Sequence, residues 1–281
     1  MLSKTIGIFG AGYVGLTTAV LFANSGYKVV LVENNQERLK SLSSGKSFFY
    51  EKGINQLISA AQKKKSLTLT SEPRNIADCE LIFSCVGTPD NPDGSTNMTY
   101  VLSVAEEVSK HANDNSIFIQ KSTVPVKTHT TIKDIFKKND KSFSYVSNPE
   151  LLREGTAIKD SLWFDRLVVG GDDKSCDKVI NLYKILESER ETIAKIAEIE
   201  IPDNNESQYI KTNADSAELI KVTSNAFLAM KISFANSIAK VADRTGADIK
   251  DVMLAVGADH RIGQDFLSAG RGYGGGCFPK D

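Results

Sequence analysis

The chain has 281 residues, 41% hydrophobic and 25% charged, enough to bury a substantial core and to build two domains. Thirty-four basic residues against 35 acidic ones leave a net charge of -1, so no broad cationic field is available for nucleic acid or an anionic membrane surface. Apolar runs are interrupted too soon for a membrane span or a signal peptide, and a cytoplasmic location is expected. Four cysteines without CxxC spacing and three histidines far apart in sequence give no sign of a disulfide framework or a zinc site, and no metal is expected.

In chain order, short β-branched runs alternate with helix-like segments. Residues 5–9, 29–32, 81–86 and 117–120 read as strands, followed by further candidates at 143–146 and 167–169. Between the third and fourth runs, residues 99–111 carry Val101, Val104, Ala105 and Val108 at helical spacing, as a right-handed crossover requires. The rhythm predicts an α/β fold with a doubly wound, Rossmann-type parallel sheet. Residues 187–207 turn strongly charged and are assigned neither helix nor strand. At Asp215 a capping-box pattern (Asp215, Ser216, Ala217, Glu218) opens a long helical stretch that Gly246 stops. Asp248 caps a shorter helix ending near Gly257, and a glycine-rich tail follows. The expected domains are 1–212, α/β, and 213–281, all-α.

The first strand runs into Gly10-Ala11-Gly12-Tyr13-Val14-Gly15, and a helix-like segment and the second strand follow. This is the setting a dinucleotide fingerprint needs. Gly10 permits the tight turn, Gly12 lets backbone approach a pyrophosphate, and Gly15 allows close packing at a helix N-terminus that faces negative charge. Glu33 ends the second strand, where a carboxylate accepts hydrogen bonds from a ribose and repels a 2′-phosphate, so NAD is favoured over NADP. Thr88 and Thr123 end predicted strands, on the edge where open α/β sheets bind ligands.

Lys221 and Asn225 stand four apart on the predicted long helix, so both point from one face. A cation beside an amide donor suits a developing oxyanion, while the plain alternative is a solvated lysine and a polar surface residue. Cys277 follows three glycines that leave its sulfur unobstructed; it is a nucleophile candidate or a free thiol in a mobile tail. Glu150 and Glu154 lie four apart in a loop, where carboxylates are commonly just solvated charges.

Several phrases in order carry a family resemblance: Gly87-Thr88-Pro89, Ser122-Thr123-Val124-Pro125, Asn148-Pro149-Glu150-Leu151-Leu152-Arg153-Glu154-Gly155, Glu218-Leu219-Ile220-Lys221 and Gly272 to Asp281. The chain resembles nucleotide-sugar dehydrogenases. At Phe227-Leu228-Ala229-Met230 and Cys277-Phe278-Pro279-Lys280-Asp281 it is most similar to the branch that oxidises UDP-glucose. The resemblance implies four-electron oxidation of a UDP-sugar with two NAD, through a thiohemiacetal and then a thioester on Cys277. It implies that Lys221 and Asn225 stabilise the oxyanion, and that Thr123, Glu154 and Asp281 orient or activate water, with Glu150 nearby. Gly10, Gly12, Tyr13, Val14, Gly15, Glu33, Thr88, Thr123 and Glu154 are implied as cofactor contacts. Glu150, Leu151, Arg153, Lys221, Asn225, Arg261 and Gly274 are implied as substrate contacts, with Arg261 reaching across a homodimer formed through the long helix. Two alternatives stay open: the same chemistry on GDP-mannose or a UDP-N-acetylhexosamine, and a catalytically silent NAD-binding fragment. The family continues beyond the equivalent of Asp281 into a second Rossmann-like domain, so a truncated chain is expected. Gly276 stands where the family usually has serine, which adds freedom beside Cys277.

Overall fold

A computed structural model describes residues 5–202, 207–275, 278 and 280. The chain divides into two compact units. The first takes the described residues up to Pro89 and from Thr96 to Glu218; the second takes Asp90–Ser95 and the residues from Leu219 on.

The first unit is built on one eight-stranded sheet. In sequence order the strands are β1 (Thr5–Phe9), β2 (Lys28–Val32), β3 (Leu67–Thr70), β4 (Leu81–Ser84), β5 (Ile117–Gln120), β6 (Ser144–Ser147), β7 (Arg166–Gly171) and β8 (Gln208–Thr212). In space they run β3-β2-β1-β4-β5-β6-β7-β8. The order reverses between β1 and β4, as in a doubly wound fold. Pleating sends alternate residues to opposite faces. Ile6, Ile8, Leu31, Phe83 and Ile119 pack into one buried layer with α1 (Tyr13–Asn24), α3 (Ile54–Lys63) and α7 (Asp173–Ser188). Phe9, Val32, Ile82 and Phe118 pack into the other with α4 (Thr99–His111) and α5 (Thr128–Lys138). Helix α2 (Gln36–Ser43) is capped by the Asn35 side chain.

The doubly wound α/β expectation holds, with two corrections. The sheet is mostly rather than wholly parallel: β7 runs antiparallel to β6, pairing Val146 with Gly171 and Ser147 with Gly170. Between them the chain stays at the carboxyl edge of the sheet, where it forms only the six-residue α6 (Ala157–Leu162) instead of a crossover helix. The second correction adds the strands β3 and β8, both short and at the sheet edges. The charged stretch left unassigned contains α8 (Arg190–Ala197), whose Ile193, Ala194 and Ala197 are buried; a Cβ on Gly53 would meet Ala197 O at 2.4 Å. Its charges lie on the outer face, which is why composition masked it.

The long helix α9 (Ala214–Thr245) begins one residue before the expected start, and its cap differs. Asn213 Oδ1 accepts from Ser216 N–H at 2.8 Å, so Asn213 is the capping side chain. Glu218 does not close a capping box. Its carboxylate accepts from Lys127 N–H, His129 N–H and the Tyr145 hydroxyl at 2.8, 3.0 and 2.9 Å. Gly246 at φ +76 ends α9, and Asp248 caps α10 (Ile249–Gly257) through Lys250 N–H at 2.7 Å, both as read from sequence. In the second unit Ala235, Met253 and Leu267 form a small core flanked by Ile238, Val252 and Val256. Among the described residues no helix is long and apolar enough to cross a membrane.

Candidate active site

The glycine loop shows a division of labour among its three glycines. Gly10 takes φ +90, and a Cβ there would meet Cys85 O at 2.9 Å. A Cβ on Gly15 would lie 1.9 Å from Gly10 O, so the start of α1 can sit against the turn only because that side chain is missing. Around Gly12 nothing lies within 4 Å of a built Cβ. Gly12 caps α1 without a side-chain hydrogen bond, and no acidic residue sits in the first turn. The helix therefore presents backbone donors and the positive end of its dipole to an open space, the arrangement that suits a pyrophosphate. Glu33 is buried just beyond β2, where its carboxylate accepts from Ala11 N–H at 3.0 Å and Asn35 N–H at 2.9 Å. Val14 packs partly buried against the core. These residues fit a dinucleotide.

This division predicts opposite outcomes for two alanine variants. Gly15→Ala is expected to destabilise the fold by about 3 kcal/mol, since a backbone carbonyl must move. Gly12→Ala should change stability by no more than about 0.5 kcal/mol while weakening NAD binding. Thermal unfolding combined with NAD titration separates the two, and equal losses of stability would remove the distinction.

Other sequence-predicted residues of the first unit gather along the carboxyl edge. Thr88 follows β4 and is buried; Thr123 follows β5. The Ser122 hydroxyl donates to Val86 O at 2.6 Å and ties the two loops together. After β6, Glu150 is buried and its Oε2 accepts from Leu152 N–H at 3.0 Å. Leu151 is half-buried, whereas Arg153 and Glu154 are exposed. Arg153 is held by Asp160 through two guanidinium contacts at 3.0 and 2.8 Å. Burial pushes the thiols of Cys79 and Cys85 up to about 12 and that of Cys176 up to about 11, so these three are protonated and inert as nucleophiles at neutral pH.

Sequence reasoning missed three features here. Lys121 is a buried cation whose Nζ donates to the Tyr183 hydroxyl at 3.1 Å, which donates in turn to Asn148 Oδ1 at 2.7 Å. Burial alone would depress its ammonium, but Tyr183, Cys85 and Glu150 around it hold it above its ordinary value. The second is Glu51, a buried carboxylate described below. The third is His129, whose Nδ1 lies 3.4 Å from Asp215 Oδ1 and 3.6 Å from Glu218 Oε2. Donor atoms of these three residues converge within 4.8 Å, a grouping hidden by their distance in sequence. The three hydrogen bonds to Glu218 and the Lys127 Nζ–Asp215 ion pair at 3.0 Å make the group a clamp at the start of α9.

In the second unit, Lys221 and Asn225 face each other across one turn of α9, with Lys221 Nζ 3.4 Å from Asn225 Oδ1. Lys221 is only 4% exposed and Asn225 7%. The solvated-lysine alternative is thereby excluded. Arg261 is exposed and engaged by Asp259 at 2.6 Å. Lys231 Nζ donates to Ile262 O and Gly263 O at 3.0 and 3.1 Å, fastening the segment after Arg261. Gly274 is exposed. Cys277 and Asp281 lie outside the described residues.

Comparison with known proteins matches residues 4–187 to the NAD binding domain of the UDP-glucose/GDP-mannose dehydrogenase family and residues 215–281 to its central domain. The chain belongs to this family. It is 40% identical over 282 residues to the UDP-glucose 6-dehydrogenase TuaD of Bacillus subtilis, covering 99% of this chain and 57% of that protein. Among solved structures it is similar to a UDP-glucose dehydrogenase of Pyrobaculum islandicum, at 33% identity and TM-score 0.88, covering 99% of this chain and 62% of the other. It is also similar to a GDP-mannose dehydrogenase of Pseudomonas aeruginosa, at 29% identity and TM-score 0.76, covering 98% and 62%. The chain thus spans about three fifths of the length of these family members. The glycine loop, with Glu33 beside it, lies in the family's NAD-binding domain, and Lys221 and Asn225 lie in its central domain.

Proposed function

We propose that the intact protein oxidises the C6 alcohol of UDP-glucose to the carboxylate of UDP-glucuronate. The observation that carries this reading is the burial of the Lys221 ammonium beside the Asn225 amide. An ammonium and an amide held side by side out of solvent are preorganised for an alkoxide or tetrahedral oxyanion. NAD, when bound, accepts a hydride in each of two oxidations. The alcohol first becomes an aldehyde. The Cys277 thiolate adds to the aldehyde carbon to give a thiohemiacetal, loss of a second hydride gives a thioester, and water releases the acid and regenerates the thiol. The balance is one alcohol, one water and two NAD⁺ to one carboxylate, two NADH and three protons. Lys221 and Asn225 hold the oxygen that carries negative charge in each step. Thr123, Glu150, Glu154 and Asp281 are assigned to water and to the sugar.

The test is NADH formation by the intact protein, at 340 nm, with UDP-glucose, GDP-mannose and UDP-N-acetylmannosamine side by side. Two NADH per UDP-glucose, with little from the others, is the expected result. Turnover of another sugar alone would move the substrate, and reduction of NAD by none would end the reading.

The same proposal includes a homodimer and the division into an NAD-binding domain, 1–212, and a central helical region, 213–281. Phe227, Met230, Phe234 and Val241 are all exposed. At 3.6 residues per turn they fall within roughly 60° of arc on α9. A second copy of this stripe is its proposed partner. Phe234→Arg places a charge in that stripe and is expected to shift the protein from dimer to monomer in sedimentation velocity. An unchanged sedimentation coefficient would remove α9 as the interface.

A further inference from the structure

Glu51 is a carboxylate only 5% exposed, in the loop before α3. Its Oε2 accepts the Tyr13 hydroxyl proton, and its Oε1 accepts from Ile158 N–H at 3.1 Å, in the first turn of α6. The Tyr13 oxygen in turn accepts from Gly155 N–H. The Tyr13 ring is held against Phe49 with centroids 4.6 Å apart. One phenol and one carboxylate thus join three stretches of the first unit: the glycine loop, the 44–53 loop, and the loop that carries Glu150 and Glu154.

The chemistry of the pair gives it a direction. A phenol has a single proton, and here it is donated in the hydrogen bond to Glu51, which leaves the phenol oxygen free to accept from Gly155. Burial, followed by the hydrogen bond to Glu51, pushes the Tyr13 hydroxyl well above its ordinary value, so the proton stays in place. Tyr13 is also the first residue of α1, directly after Gly12. Its backbone faces the anion-binding space while its hydroxyl faces the acid-bearing loop.

We propose that Tyr13 and Glu51 are positioning residues that couple occupancy of the dinucleotide site to ordering of the loop bearing Glu150 and Glu154. A ligand that fixes the first turn of α1 fixes the Tyr13 ring, and through it the Gly155 and Ile158 amides. The acid-bearing loop is then ordered before sugar binds, so its ordering cost is met by the cofactor. The importance of that loop to catalysis rests on the proposed function; the coupling does not.

Hydrogen–deuterium exchange on the 281-residue chain, with and without NAD, tests the coupling without any turnover. In the unaltered chain NAD should slow exchange in peptides covering 151–158 by roughly fivefold or more, the worth of one hydrogen bond, and also in those covering 10–15. Tyr13→Phe keeps the ring on Phe49, and Glu51→Gln keeps the shape of the side chain. In both, NAD should still protect 10–15 but no longer protect 151–158. A merely structural role would speed exchange at 151–158 in the variants yet leave the fold-protection by NAD unchanged, and that result overturns the proposal. So does protection of 10–15 without 151–158 in the unaltered chain. If Glu51→Gln fails to fold, Tyr13→Phe decides. Failure of the intact protein to oxidise any nucleotide sugar would remove the catalytic role of the loop and leave the exchange result standing.

Discussion

Replacing Cys277 by alanine in the intact protein should lower steady-state turnover of UDP-glucose by at least about 10³-fold. The first hydride transfer needs no thiol, so a single-turnover experiment should still give close to one NADH per bound sugar instead of two. The second transfer needs a carbon that carries both a hydrogen and an oxyanion, which the thiolate supplies by adding to the aldehyde. The three described cysteines offer no substitute, because burial holds each of them protonated. NADH counted by absorbance against sugar consumed is the measurement. Two NADH per sugar from the alanine variant would show that oxidation proceeds without a thioester and would remove Cys277 from the mechanism.

Lys221→Met should lower kcat by roughly 10²–10³-fold, the cost of losing one charged donor to an oxyanion, with little change in KM. Methionine retains most of the buried stem, so the space the side chain fills stays occupied. The division between kcat and KM is diagnostic, because a donor that acts only where negative charge develops stabilises the transition state more than the bound sugar. Loss of affinity with kcat intact would make Lys221 a substrate-binding group instead. Asn225→Ala should show the same pattern with a smaller loss, since a neutral donor contributes less than a charged one.

The parts of the protein legible in advance were those set by local chemistry. The turn at Gly10, the crossover helix α4, the stop at Gly246 and the cap at Asp248 each depend on residues a few positions apart. The edge strands were missed because the alternation of β3 spans only four residues and β8 has no clear period, and pairing with a neighbour defines them as strands. The cap of α9 was misplaced by two residues because both Asn213 and Asp215 have capping chemistry. Glu218 is drawn instead to Lys127, His129 and Tyr145, about ninety residues earlier in the chain for the first two and 73 for the third.

By itself the sequence determined the α/β class, the dinucleotide loop with its acidic partner, and the helical spacing that brings Lys221 to Asn225. These follow from short-range periodicity and steric rules that hold before the chain folds. Only the tertiary structure decided that Lys221 is buried, that β7 turns back against β6, and that Tyr13 meets Gly155 and Glu51 meets Ile158, 142 and 107 positions away. The reason is physical: burial and long-range hydrogen bonding depend on which distant segments exclude water together, and no local pattern encodes that.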